Sequence, residues 1–272
     1  MIERRSCRAL LLSLTFAVLP QVALAVDDCT RLTATGNPEY PPYLWRDPQD
    51  PQHLVGANAD LLKYMAGELG LDVDVKYSGP WGRAQEEVRT GRVDLLAGYF
   101  LTRARQNEVN FIEPPFLHTP SVVWVRSDSA FAYKGWDDLR GLKGGVLVNN
   151  SHGEQFDEFA RTNLNLEAVP GARQAFEKLL HKRSDYVIFE QFPGMALARV
   201  LKVDEQVQVL EPPVSSEGLY LAMSHDSPCN RPQLREQLAA KMREIVSSDL
   251  PQRLVARNLA LWRQQQENVA AP

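Results

Sequence analysis

The stretch Ser121-Val122-Val123-Trp124-Val125 reads as a buried β-strand, because it is apolar after its first residue and rich in β-branched side chains. It stands between two similar runs of alternating strand and helix patterns. The second run ends at a Pro- and Ser-rich break over 212–216. Alternating β and α segments are typical of mostly parallel sheets covered by helices. The sequence therefore predicts an α/β protein with two lobes.

Working outward from this strand, the first run predicts strands over 30–36, 73–77 and 94–99 and helices over 57–69 and 82–90. The second run predicts helices over 137–142, 153–162, 172–181 and 191–201, the last interrupted near Pro193-Gly194, and strands over 145–148, 186–189 and 207–210. After the break the pattern predicts a strand over 219–223 and helices over 232–247 and 252–262.

These runs divide the chain into a first lobe over 26–124, a second lobe over 125–214, a return to the first lobe over 215–264 and a polar tail over 265–272. The chain would cross between the lobes twice. Two crossings make a hinge, and a cleft between lobes is a favoured place for a ligand.

The N-terminus has the features of a secretory signal peptide. Three arginines among the first eight residues precede an apolar run over 9–19, and Ala23-Leu24-Ala25 supplies an A-x-A cleavage site. A run of about 11 apolar residues is too short to span a membrane, which takes about 20. The alternative is a buried N-terminal helix. We expect segment 1–25 to be cleaved after Ala25 and the protein to reach the periplasm.

Charge and cysteine usage agree with export. Cleavage would remove three arginines and one glutamate, which leaves 27 basic and 33 acidic side chains and a net charge of −6. Such a balance argues against nucleic acid as a partner. Cys29 and Cys229 would remain, and an even number of cysteines in an oxidising compartment predicts a disulfide between them, the alternative being two free thiols.

Several motifs, in this order and spacing, resemble bacterial extracellular solute-binding family 3, the periplasmic binding proteins of polar amino-acid importers. The resemblance covers nearly all of residues 30–262. It rests on Asn37-Pro38-Glu39-Tyr40-Pro41-Pro42-Tyr43, Leu54-Val55-Gly56 with Asp60-Leu61, Gly91-Arg92-Val93-Asp94, Thr102-Arg103-Ala104-Arg105, Val109-Asn110-Phe111, Pro114-Pro115-Phe116, Asp138-Leu139-Arg140-Gly141 and Gly145-Val146.

The resemblance implies a type II periplasmic-binding-protein fold, with two lobes joined by a two-strand hinge. It implies a monomer without a cofactor that delivers an amino acid or a similar zwitterion to the permease of an ABC importer. The chain departs from the family at Ala57, where phenylalanine is usual, at Asn58, where aspartate is usual, and at 98–100, where serine or threonine is common and Gly-Tyr-Phe stands here. These changes bear on the ligand rather than on the fold.

Two charged residues are the leading candidates for ligand binding. Arg105 matches the family arginine that grips a carboxylate, which a planar guanidinium can bind with two parallel hydrogen bonds. Glu190 ends an apolar strand, and ligands of open α/β sheets bind at such strand ends. It matches a family acid that pairs with the ligand's ammonium. The alternatives are an exposed arginine on a short helix and a surface ion pair. We interpret the neighbouring Arg103 as solvated.

Five further residues complete the expected ligand site. Tyr40 would stack on the ligand or attract its ammonium, unless it only packs the turn between prolines. Ser151 matches a family threonine near the ligand carboxylate and could equally cap a helix. The resemblance also implies that Leu54, Gly98 and Phe100 contact the ligand.

The sequence carries little that suggests catalysis. It contains no G-x-S-x-G, H-E-x-x-H or glycine-rich phosphate motif and no Cys/His cluster with metal-ligand spacing. The main alternative to import is a sensing subunit that passes its closed state to a membrane receptor. A third possibility is an enzyme similar to cyclohexadienyl dehydratases, for which Glu190 would be the candidate acid.

Overall fold

The computed structural model describes residues 29–270, with side chains to residue 267. The predicted signal peptide, residues 1–25, lies outside the described residues. The strands are β1 Arg31–Thr35, β2 Glu39–Tyr40, β3 Leu44–Arg46, β4 Leu54–Val55, β5 Asp72–Val75, β6 Leu95–Phe100, β7 Val109–Arg126, β8 Lys143–Leu147, β9 Asn165–Val169, β10 Tyr186–Glu190 and β11 Val207–Ser224.

The helices alternate with these strands. They are α1 Ala57–Glu68, α2 Trp81–Arg89, α3 Arg103–Gln106, α4 Glu154–Asn163, α5 Ala172–Leu180, α6 Gln191–Leu201, α7 Pro232–Val246 and α8 Leu250–Ala270. No helix in this part of the chain is long and apolar enough to cross a membrane.

Two strands of 18 residues each, β7 and β11, connect the two halves of one sheet with the order β5-β1-β6-β11-β7-β10-β8-β9. The first half contains the parallel strands β5, β1 and β6, and the second contains the parallel strands β10, β8 and β9. β7 and β11 are antiparallel to each other and to their outer neighbours. They form the two-strand hinge that the family resemblance implies.

Each half of the sheet has its own hydrophobic core, which confirms the two-lobed α/β fold. In the first lobe, helices α1, α7 and α8 pack with Ile112 and Phe116 of β7. In the second lobe, Val122 and Trp124 of β7 face helices α5 and α6, whereas Val123 faces the opposite side. The alternation follows from the period of two in a strand. The residue boundaries given for the lobes stay a prediction.

The structure corrects several predicted elements. The break over 212–216 lies inside β11, where the pairing with β7 shifts between Leu210 and Ser215. Prolines have no N–H to donate to a ladder, so they disturb its register without ending the strand. Helix α6 is not interrupted at Pro193, because that proline lies in the first turn, where N–H groups have no partner within the helix. Strand β9 and residues 109–120 of β7 were not predicted.

The C-terminal helix is longer than predicted. Residues 265–270 of the expected polar tail continue α8 to Ala270. Gln265 accepts a hydrogen bond from the Trp45 indole at 2.9 Å, and the Trp262 and Trp45 rings meet edge to face at 5.4 Å. The helix therefore packs on the first lobe beyond the segment whose apolar periodicity the sequence shows.

The predicted disulfide between Cys29 and Cys229 is confirmed. It joins the residues just before β1 and α7, with a Cα–Cα distance of 5.5 Å across a separation of 200 residues. Both cysteines pack against the core of the first lobe. A cross-link between distant residues stabilises a fold by restricting the unfolded chain.

Candidate functional site

The carboxyl ends of the parallel strands in the two lobes face each other across a small cavity, here called the inner cavity. β6 contributes Gly98 and Phe100 from the first lobe, and β10 contributes Glu190 from the second. The cavity has a volume of about 20 Å³, so in this arrangement of the lobes it holds little more than one water molecule. Its walls are Asn37, Tyr40, Leu44, Trp81, Ala97, Gly98, Tyr99, Phe100, Arg105, Asn150, Glu190 and Leu219.

Arg105 supplies the positive charge of the inner cavity. The short helix α3 positions it, and the Thr102 hydroxyl accepts a hydrogen bond from the Arg105 N–H at 3.3 Å. Its guanidinium donates to the carbonyl oxygens of Phe100 at 2.9 Å and Asn149 at 3.2 Å and lies 3.9 Å from the Tyr99 ring centre. Residues 29–267 give it no carboxylate partner, although it is buried.

Glu190 supplies the negative charge, and it is almost completely buried at 1% exposure. Its Oε1 accepts a hydrogen bond from the Asn150 amide at 3.2 Å. Its Oε2 has no hydrogen-bond partner in the part of the chain that the structure describes. Burial raises the pKa of this carboxyl to about 7, against smaller opposing effects of hydrogen bonds and of Arg105.

Aromatic side chains and one glycine shape the rest of the cavity. The Tyr40 ring lies 5.2 Å from the Tyr43 ring and lines the cavity from the first lobe. Gly98 has a φ of +111°, and a Cβ there would lie 2.5 Å from the Asn58 amide nitrogen. The residue therefore has to be glycine for both conformational and steric reasons. Tyr40, Gly98 and Phe100 thus line the cavity beside Arg105 and Glu190.

Two predicted site residues lie elsewhere. Leu54 is fully buried in the core of the first lobe, because its strand β4 directs it toward α1 instead of the cleft. Ser151 lies outside the inner cavity but lines the larger cavity that adjoins it, together with Arg105, and its hydroxyl donates to the Asp157 carboxylate and accepts from the Gly153 N–H at 3.3 Å. Helix α4 begins after Gly153 without a side-chain cap, so Ser151 is not its N-cap either.

A larger, polar outer cavity of about 630 Å³ adjoins the inner one. The two share Tyr99, Arg105 and Asn150. Arg103 lines this cavity with its side chain 89% exposed, as expected for a solvated arginine, and its guanidinium also forms an ion pair with Glu154 of the second lobe at 3.3 Å. Gln85 also reaches across, donating to the Asn149 carbonyl at 3.2 Å. The lobes are therefore in contact along the cleft.

Asn150 and His152 have positions that the sequence did not predict. In the polar run after β8 only Ser151 was a candidate, whereas it is Asn150 that holds the Glu190 carboxyl. His152 is buried with its Nδ1 3.1 Å from the Ser121 hydroxyl of β7. Burial, with Arg105 adding to it, lowers the pKa of His152 to about 3, so the ring is neutral. The described residues contain no group of three or more side chains that could hold a metal ion.

Residues 32–259 match the bacterial extracellular solute-binding proteins, family 3. The match spans most of the sequence, so the chain belongs to this family of ligand-binding proteins. A search of curated proteins finds no match.

Solved structures with the same fold include a histidine kinase sensor domain similar to periplasmic binding proteins. It is 22% identical, with a TM-score of 0.73, over 86% of this chain and 97% of the other. An ancestral arginine-binding protein bound to arginine is 20% identical, with a TM-score of 0.69, over 84% and 97%. A Wolinella succinogenes protein assigned as an ABC-transporter binding component and complexed with lysine is 21% identical, with a TM-score of 0.69, over 84% and 95%. At these identities the likeness establishes the fold alone.

Proposed function

We propose that this protein captures an amino acid or a similar small zwitterion in the inner cavity and delivers it to a membrane importer. One observation carries the proposal. Arg105 and Glu190 are both buried, lie on different lobes and face one cavity, with no ion pair formed by either within residues 29–267. Buried charges are normally paired, so each of these lacks a partner that a ligand would supply.

A zwitterion matches this arrangement better than a singly charged ligand. Its carboxylate would take two parallel hydrogen bonds from Arg105, which still has free N–H groups, and its ammonium would reach Glu190 Oε2. Because the cavity measures only about 20 Å³ in this arrangement, the ligand would enter as the lobes separate, and its side chain would face the apolar walls. Because the two charges lie on different lobes, such a ligand gains more in the closed arrangement than in the open one, and only such a differential can shift the hinge.

A thermal-shift screen of the mature protein tests the ligand class. Each amino acid is compared with two analogues, the amine that lacks its carboxylate and the acid that lacks its amino group. We expect one amino acid to stabilise the fold by about 2.7 kcal/mol at 100 times its Kd, and both analogues to do far less. Equal stabilisation by an analogue would contradict the pairing of both charges.

Delivery and sensing are two uses of the same closed state. Delivery is supported by the family and by the Wolinella succinogenes protein, and sensing by the histidine kinase sensor domain. We place the protein in the periplasm as a monomer, after loss of the signal peptide. Measuring uptake of the labelled amino acid in cells that lack this protein distinguishes delivery from sensing. Lost uptake supports delivery, whereas normal uptake with a lost transcriptional response supports sensing.

A further inference from the structure

A second concave surface lies between helices α6 and α8 and shares no lining residue with the inner cavity. This α6–α8 groove has a volume of about 440 Å³. Phe192 and Met195, at its edge, are each 41% exposed. Its walls are Phe192, Met195, Ala196, Arg199, Val200, Leu259, Trp262, Arg263, Gln266 and Glu267. Large apolar side chains exposed together in a concavity commonly mark a contact surface.

The two walls of the groove belong to different lobes. Helix α6 packs on the second lobe, where Ala198 joins the core beside Trp124. Helix α8 packs on the first lobe through Leu254 and through Trp262, which meets Trp45. The groove thus has this shape only while the lobes are in contact, and any rotation about the hinge changes its width.

The charged rim of the groove is basic. Arg199 and Arg263 line it, whereas the neighbouring cavity, which residues 38–46 and helices α5, α6 and α8 enclose, holds Arg173 together with Arg46 and Glu39. Within residues 29–267 neither Arg199 nor Arg263 forms an ion pair, and Glu267 is the one carboxylate among the residues that line the groove. The whole chain has a net charge of −4, so this basic rim departs from the general character of the protein.

We propose that the α6–α8 groove docks a segment of another protein in which apolar side chains are flanked by carboxylates, and that it does so when the lobes are closed. Apolar side chains would bury Phe192 and Met195, and flanking carboxylates would pair with Arg199 and Arg263. A second copy of this chain would bring arginine against arginine in a symmetric contact. A flat lipid surface would not enter a concavity between two helices. The proposal does not depend on which solute is bound.

Site-specific photo-crosslinking in intact cells tests the docking. The photoreactive amino acid p-benzoylphenylalanine replaces Met195 in one variant and Tyr64, an equally exposed residue of α1, in the control. We expect Met195 alone to give an adduct with another protein, and mass spectrometry to place it in a peptide with apolar residues between acidic ones. A lipid adduct, a dimer of this chain, or a yield no higher than at Tyr64 overturns the proposal.

Charge variants of the Met195 probe test the rim and the closed state. We expect Arg199→Glu with Arg263→Glu to lower the adduct yield about fivefold or more, and Arg257→Glu, an exposed control on α8, to leave it unchanged. Glu154→Arg sets two arginines against each other across the cleft and should lower the yield by about two- to fivefold, and adding Arg103→Glu should restore it. Equal yields in all variants would overturn the proposal.

Discussion

The two lobes hold their charges in the inner cavity in different ways. Arg105 of the first lobe is fixed by two backbone carbonyls and the Tyr99 ring, and a guanidinium keeps its proton at any ordinary pH. Glu190 of the second lobe has one oxygen bonded to Asn150 and the other without a partner among the described residues, and its pKa is about 7. The first lobe therefore offers a permanent positive charge, whereas the second offers a negative charge that depends on pH and on the ligand.

Removing the permanent charge should have the largest effect on binding. Arg105→Ala would leave the ligand's carboxylate buried without a partner, and we expect calorimetry to show a loss of about 2–5 kcal/mol. The control is Arg257→Ala, which removes an exposed arginine on α8. Tight binding by Arg105→Ala would show that the carboxylate lies elsewhere and would remove the basis of the comparison between the lobes.

Replacing Glu190, whose charge depends on pH, should weaken ligand binding but stabilise the protein without ligand. The pKa of Glu190 is raised from 4.5 to about 7 in the fold. Folding therefore favours its protonated form, and the stability that goes with it is present below pH 4.5 and lost as the pH rises through 7. At pH 8, Glu190→Gln should increase the free energy of unfolding without ligand by up to about 3 kcal/mol.

Denaturant unfolding at pH 4 and pH 8 checks this prediction, with Glu205→Gln as an exposed control. The gain should be present at pH 8 and nearly absent at pH 4. Glu190→Gln should also lose affinity for ligands with an amine far more than for ligands without one. A variant less stable than wild type at pH 8 would mean that Glu190 is already paired in the free protein.

The fold could be predicted because its signals are local. The alternation of strand and helix patterns and the apolar stretch 121–125 both lie in contiguous residues. The long hinge strands were recognised only in part, because segments 109–116 and 212–216 contain prolines, which usually end strands. Nothing in such a segment reveals that a neighbouring strand will pair across the irregularity.

The position of a candidate residue in the fold could be predicted where a motif fixes it, and not where packing decides it. Arg105 and Glu190 follow from a signature and from the end of an apolar strand, and both line the inner cavity. Leu54 was misplaced because the direction of a side chain on a two-residue strand depends on its partner strand. The contact between Asn150 and Glu190 joins residues 40 apart, which no local pattern reveals.

The pH dependence of ligand affinity should distinguish the contribution of Glu190, in the second lobe, from that of Arg105, in the first. An ammonium pairs with ionised Glu190, so binding at pH values below 7 must release a proton. We expect the affinity for the amino acid to rise about tenfold per pH unit up to about pH 7 and to level off above it. Calorimetry from pH 5.5 to 8.5, in buffers of different ionisation enthalpy, measures both the affinity and the number of protons released on binding. An affinity that stays flat across this range would place the ammonium away from Glu190.

The smallest expected effect on binding comes from replacing Asn150, which removes a single hydrogen bond to Glu190. Its amide donates to Glu190 Oε1 and so helps to lower the pKa of that carboxyl. Asn150→Ala should raise the pKa further, reduce affinity at pH 7 by about 1 kcal/mol and move the pH at which affinity levels off upward. Asn165→Ala, an exposed residue of the same lobe, is the control. A purely structural role for Asn150 would lower affinity equally at every pH, because damage to the fold does not move the titration of Glu190. The shift of the pH profile, more than the loss of affinity, therefore decides whether Asn150 positions the Glu190 carboxyl and lowers its pKa.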